Sequence, residues 1–290
     1  MDLDADGHRD ILSGSYSRME QDMAGLFQVL YGKADGTFRR AEVLKGTDDR
    51  PLIIPIKGRQ QVTMTENICT RPFAVDWDGD GHLDLVVGNF AGTFYRFKGQ
   101  GRGQFSPEPE QLKTGDSPLR IEGAHSDPFA IDWDGDGDLD LLSGSSNGGV
   151  QWAENRAGQG KAPDLSPFRP LIPPGPPIEP GRALREDDLT GPTHATRVWV
   201  DDVNSDGKLD ILVGDSVTLI SPAEGLGAEE FAKKFADWQG AIKAATELRS
   251  TADDPKAQGR ANEEYVKVYK RRAEFMHEEM TGFVWLYLRK

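Results

Sequence analysis

PFAVDWDGDGHLDL at residues 72–85 and PFAIDWDGDGDLDL at residues 128–141 differ only at Val75/Ile131 and His82/Asp138. A match that dense marks an internal repeat, which has to be settled before any other feature of the chain is read. Two more copies follow the same frame: DLDADGHRDIL at residues 2–12 and DVNSDGKLDIL at residues 202–212. Each copy reaches a glycine four residues after its last aspartate: Gly14, Gly88, Gly144 and Gly214.

Carboxylates at loop positions 1, 3 and 5, a glycine at 6 and another Asp at 9 set several hard oxygens around one point, and the glycine permits the sharp turn. Such donors suit Ca2+; Mg2+ keeps more of its water, and Zn2+ prefers His or Cys. The expected ligands are Asp2, Asp4, Asp6 and Asp10; Asp76, Asp78, Asp80 and Asp84; Asp132, Asp134, Asp136 and Asp140; and Asp202, Asn204, Asp206 and Asp210. Position 7 (His8, His82, Asp138, Lys208) is expected to offer only its backbone carbonyl. An EF-hand would need a Glu at position 12, where Ser13, Val87, Ser143 and Val213 stand, and helices on both sides. The flanks are instead short and rich in β-branched and aromatic residues, so these are calcium loops between strands, up to four ions in all.

The pattern DxDxDGxxDhxxG, with strand on both sides, resembles the FG-GAP/VCBS repeats of integrin-α-like β-propellers. The resemblance runs from Asp2 to about Leu219. It implies a mainly β fold of four-stranded blades, a Ca2+ loop between the first two strands of each, and an extracellular, periplasmic or cell-surface location.

Loop starts at 2, 76, 132 and 202 leave room for one blade each. Third strands are expected at residues 25–31, 92–97, 148–152 and 282–287, and residues 32–38 and 99–105 read as hairpins leading to a fourth strand. In the last blade about 64 extra residues separate strands two and three. Phe231, Phe235, Trp238, Ile242 and Ala245 form one helical stripe there, and Tyr265, Tyr269, Arg272, Met276 and Met280 another. The expected organisation is therefore blades over 1–219 and 281–290, with a helical hairpin inserted at 226–280. Residues 170–180, PLIPPGPPIEP, read as a stiff connection between blades. No strand fits before Asp2 and none follows the third strand of the last blade, so the expectation is an incomplete propeller, a fragment or a misassigned start of a longer exported chain. The competing arrangement is a closed four-bladed ring whose C-terminal strands complete the first blade.

The 290 residues carry 34 Lys+Arg against 48 Asp+Glu, a formal charge of -14. That balance disfavours nucleic acid, and the absence of a long apolar run excludes a spanning helix. The N-terminus as written reads as no signal peptide. Fifteen of the acids are proposed ligands, and four Ca2+ would bring the charge to about -6, so most of the excess acid is a count of metal loops. Arg71, His125, Asp127, His194 and Arg197 precede or open the first strands and form a candidate ligand site at a channel mouth. No motif defines a reaction, which leaves the enzyme question leaning to no. The leading function is a calcium-binding scaffold for an extracellular protein or carbohydrate. The alternatives are a carbohydrate-active enzyme, such as a polysaccharide lyase or glycosidase, and an adhesion or assembly subunit that docks a partner through its helical hairpin.

Overall fold

A computed structural model describes residues 1–16, 25–55, 66–175 and 183–290, and the chain divides into two compact units. The first comprises Met1–Pro174, Gly191–Asp215 and Phe283–Lys290; the second comprises Gly175–Thr190 and Ser216–Gly282.

The first unit is a succession of antiparallel sheets. Sheet one contains β1 (Ile11–Ser13), β2 (Gln28–Leu30) and β3 (Glu42–Val43). Sheet two follows with β4 (Arg71–Val75), β5 (Asp84–Gly88), β6 (Phe94–Phe97) and β7 (Glu110–Gln111) in sequence order, trailed by a small ribbon of β8 (Lys113–Thr114) and β9 (Ser117–Pro118). Sheet three repeats sheet two with β10 (Asp127–Ile131), β11 (Asp140–Gly144), β12 (Val150–Ala153) and β13 (Arg169–Ile172). Sheet four opens with β14 (Arg197–Asp201) and β15 (Asp210–Gly214). The chain then forms the second unit through β16 (Val217–Pro222), α1 (Ala228–Thr251), α2 (Pro255–Lys270) and β17 (Met276–Thr281), and returns as β18 (Val284–Tyr287).

Each acidic loop leads into an equivalent strand, namely β1, β5, β11 or β15. Sheet one therefore holds the counterparts of strands two to four, and sheet four those of strands one to three. β18 pairs with β15 from Ile211↔Tyr287 to Gly214↔Val284, so the C-terminal strand completes the fourth sheet and not the first. The hairpins expected at 32–38 and 99–105 close through the bridges Gly32↔Phe38 and Gly99↔Phe105. Of the proline-rich stretch, Pro170–Ile172 lie in β13, and residues 176–180 fall outside the described residues.

The core of this unit lies between successive sheets. β5 and β11 are buried at every position because a sheet covers each of their faces, whereas β14 alternates exposed and buried. In the first three loops position 2 packs toward the next sheet. Leu3 joins Leu85, Val87 and Phe97; Trp77 joins Ala130, Leu141 and Ala153; Trp133 joins Val198, Ile211 and Val213. The fourth such residue, Val203, is exposed. So is Trp199, whose register through Leu212 to Leu286 lines the outer face of sheet four. Rings link the first strands: Phe73 lies 4.8 Å from Phe129, and Phe129 5.4 Å from Trp199.

In the second unit, β16 and β17 form a six-pair ribbon from Val217↔Thr281 to Pro222↔Met276. α1 and α2 pack together as a hairpin, with Trp238 Nε1 donating to the Val268 carbonyl at 2.9 Å. Asp254 caps α2 by accepting the N–H groups of Lys256 and Ala257, and Pro255 opens the helix. The second helical stripe ends earlier than its spacing implies. Tyr265 and Tyr269 stack on α2 and Arg272 sits over Tyr269, but Met276 and Met280 lie on β17. A step of four residues returns to the same face in a strand as well as in a helix, so those two methionines fit either period, and the ladder to β16 decides. The ribbon carries the insertion beyond the hairpin on both sides, to Ser216 and Gly282. Among the described residues no helix is long and apolar enough to cross a membrane.

Candidate metal centres

The four loops share one backbone design. The position-1 carboxylate accepts two loop N–H groups: Asp2 from Asp6 and Gly7, Asp76 from Asp80 and Gly81, Asp132 from Gly135 and Gly137, and Asp202 from Asp206 and Gly207. Position 5 accepts from position 7, as Asp80 Oδ1 does from His82 N at 2.9 Å. Position 6 is glycine with positive φ in all four loops (Gly7, Gly81, Gly137, Gly207), the conformation that the turn demands. Position 4 is also left-handed, and there Ala5 and Ser205 adopt it without being glycine.

Position 9 does something more specific than supplying oxygen. Both oxygens of the buried aspartate are engaged by main chain, one by the N–H of loop position 2 and one by the N–H just beyond the third strand. Asp10 accepts from Leu3 and Gly32, Asp84 from Trp77 and Gly99, Asp140 from Trp133 and Asn155, and Asp210 from Val203 and Arg289. The four carboxylates thus fasten each loop to its own sheet. Burial pushes Asp140 up to about 6.

Acidic oxygens converge in three loops. Asp2, Asp4 and Asp10 form one group, Asp76, Asp78 and Asp80 a second, and Asp132, Asp134 and Asp136 a third, each with oxygens within 4.8 Å of one another. Two carboxylates at that separation repel by roughly 3 kcal/mol at an effective dielectric of 20, so each group favours a cation. Asp4 Oδ1 in the first group and Asp78 Oδ1 in the second are buried and receive no hydrogen bond among the described residues, and the same holds for Asp138 Oδ1 beside the third group. Hard oxygens with lone pairs to spare fit a hard divalent ion, and these three clusters can hold a metal ion. In the fourth loop Asn204 replaces an acid; its Oδ1 accepts from Asp206 N and its Nδ2 donates to Asp206 Oδ2.

Electrostatics separate the loops. Burial, followed by the neighbouring carboxylates Asp6 and Asp10, pushes Asp4 up. Burial likewise raises Asp134, reinforced by Asp136, Glu154 and Asp132. Burial also opposes ionisation of Asp78, but hydrogen bonds from Lys98 and Arg96 outweigh it and hold this carboxyl down at about 2. Neither cation stands out in the sequence, because Arg96 lies on the third strand and Lys98 just beyond it, 18 and 20 residues from the aspartate they meet.

Of the residues expected at a channel mouth, Arg71, His125, Asp127 and Arg197 meet at the starts of β4, β10 and β14. Arg197 lies 3.0 Å and Arg71 3.9 Å from Asp127 Oδ1, and Arg71 also donates to the His125 carbonyl. Burial, then the charge of Arg197, lowers Arg71 to about 10. Burial and the charges of Arg71, His194 and Arg197 hold the His125 imidazole below its ordinary value.

Just before Arg71, Asp127 and Arg197 stand three residues whose role sequence reasoning missed. Thr70, Ser126 and Thr196 are buried, and each follows a left-handed residue: Cys69, His125 or Ala195. Their hydroxyls accept the N–H of Ser15, Asn89 and Ser145 at 2.8–2.9 Å, and their own N–H groups return to the same residues' carbonyls. Each pair therefore latches one sheet to the next. The recurring glycines make room for it: a Cβ on Gly14, Gly88 or Gly144 would collide with the carbonyl of Thr70, Ser126 or Thr196.

The geometry is that of a repeating unit, and a family model says which one. A model described as an FG-GAP-like repeat matches residues 76–143 and again residues 132–213. No curated protein matches the chain. The loops, the strands that flank them and the matched span agree: residues 76–213 of this chain form FG-GAP-like repeats.

Proposed function

We propose that the chain is a calcium-stabilised, propeller-type scaffold that binds a protein or carbohydrate outside the cell without catalysing a reaction. The observation that carries this reading is the set of carboxylate clusters preorganised by backbone N–H groups, with buried oxygens left unpartnered. Asp2, Asp4 and Asp10, Asp76, Asp78 and Asp80, and Asp132, Asp134 and Asp136 would hold the ions, with Asp202, Asn204 and Asp206 as the fourth set. Bound Ca2+ supplies the positive charge that lets these groups stay converged. The position-9 aspartates transmit that order to the sheets through their main-chain bonds. FG-GAP-like repeats are commonly extracellular, which supports a location where calcium is abundant.

The charged group of Arg71, Asp127 and Arg197 is already paired within itself, which favours a scaffold over a carbohydrate-active enzyme. Glycosidic cleavage calls for two carboxyl groups set about 5–10 Å apart across an open site. A glycan-array screen with calcium and with chelator tests the proposal. Calcium-dependent capture of one sugar class, with no shortened chains released, upholds it. Release of shortened polysaccharide would contradict the non-enzymatic part.

A further inference from the structure

The four loops share their backbone bonds, yet the residue that follows each third strand differs in charge. Leu30, Phe97, Ala153 and Tyr287 pair with Ile11, Leu85, Leu141 and Ile211, so the residues after them, Tyr31, Lys98, Glu154 and Leu288, occupy one equivalent place. In the second loop this place carries a cation turned into the cluster. Lys98 Nζ lies 2.8 Å from Asp78 Oδ2 and 3.3 Å from Asp80 Oδ2. Arg96, two residues earlier, sets one guanidinium nitrogen 2.5 Å from the same Asp78 oxygen and 2.8 Å from Asp84 Oδ2. The Arg96 side chain is almost wholly buried, while that of Lys98 is 44% exposed. The third loop has Trp152 and Glu154 at these two places, and Glu154 is itself reached by Arg169 at 3.3 Å.

Two fixed positive charges against three carboxylates do electrostatically what an ion would otherwise do. An entering divalent ion must share Asp78 and Asp80 with the ammonium or displace it, and the exposed Lys98 is the group free to leave. We propose that Lys98 and Arg96 are built-in counter-cations of the second loop, which hold it formed without metal and make it a weaker calcium site than the first and third loops. This rests on the reading of the loops as calcium sites, and it predicts that the first and third loops load ahead of the second.

Calorimetric titration of the full chain with Ca2+ at low salt tests it, comparing wild type with Lys98→Met, which keeps the aliphatic stem and removes the charge. One weak class of sites should tighten by about tenfold in Lys98→Met, while the other classes move less than about twofold. Adding Asp76→Asn to that variant should abolish the tightened class, which assigns it to the second loop. Lys98→Gln should behave as Lys98→Met does, and in chelator both variants should melt below wild type. Dissociation constants within twofold of wild type in every class, or a tightened class that survives Asp76→Asn, would overturn the inference alone. Absence of calcium binding in wild type and variants alike would overturn the calcium reading and this inference with it.

Discussion

Thr70, Ser126 and Thr196 each join two sheets through one hydroxyl and one peptide. Ser126 shows what is lost on truncation: its Oγ accepts from Asn89 N and donates to the Thr93 carbonyl at 2.8 Å, in full burial. Ser126→Ala and Thr196→Val should each cost about 1–3 kcal/mol, because the stranded donor and acceptor have no water to turn to. Urea denaturation checks this, with a lower midpoint at unchanged slope expected and a shift below about 0.5 kcal/mol contradicting the latch. The sequence marks the charged neighbours Arg71, Asp127 and Arg197 but not these hydroxyls. A serine or threonine carries no outward sign of a buried inter-sheet bond, and neither do Cys69, His125 and Ala195 signal positive φ. By contrast, the turn at loop position 6 was legible because glycine is the residue that the conformation calls for.

At the scale of elements, the repeat announced its strands and the insertion its helices, each through its own periodicity. What it could not announce was the ribbon of β16 and β17, since Met276 and Met280 satisfy both periods and pairing with Val217–Pro222 is non-local. The two ends of the insertion meet within sheet four: Asp215 N donates to the Phe283 carbonyl at 3.0 Å, and Phe283 N donates to Asp215 Oδ1 at 2.9 Å. Replacing residues 217–281 by an Asn-Gly turn should therefore leave β15 and β18 paired, as a tight hairpin. Circular dichroism should lose the helical signal while a cooperative melt persists, and a variant without cooperative unfolding would show that the sheets need the insertion. Trp77 tests packing between sheets. It is 5% exposed and belongs to the cluster with Ala130 and Leu141, so Trp77→Ala should destabilise by about 3–5 kcal/mol. A loss under about 1 kcal/mol would mean that the two sheets do not depend on this contact.

For the whole molecule, the formal charge of -14 is concentrated where repeats place it, and that governs how stability responds to pH and metal. Burial first, and mutual repulsion in several cases, raises Asp4, Asp84, Asp127, Asp134, Asp138 and Asp140, the last to about 6. Groups raised by folding contribute stability below their unfolded value, and that contribution is lost as pH rises through the folded value. His125, lowered by burial, acts in the opposite sense over part of the same range. Asp140, raised to about 6, is the carboxyl placed to change protonation between pH 5 and pH 7, so the chelated protein should melt higher at pH 5 than at pH 7, and excess calcium should reverse that order because protons and metal compete for the loop oxygens. A chelated protein that melts higher at pH 7 would contradict this. The central claim, that calcium organises the repeats, has a more direct test in calorimetric melting at pH 7 after verified metal removal and again with calcium restored. At free calcium 100-fold above a site's dissociation constant, each occupied loop should add about 2.7 kcal/mol and raise the melting temperature accordingly. An identical melting temperature with and without the metal would contradict the account.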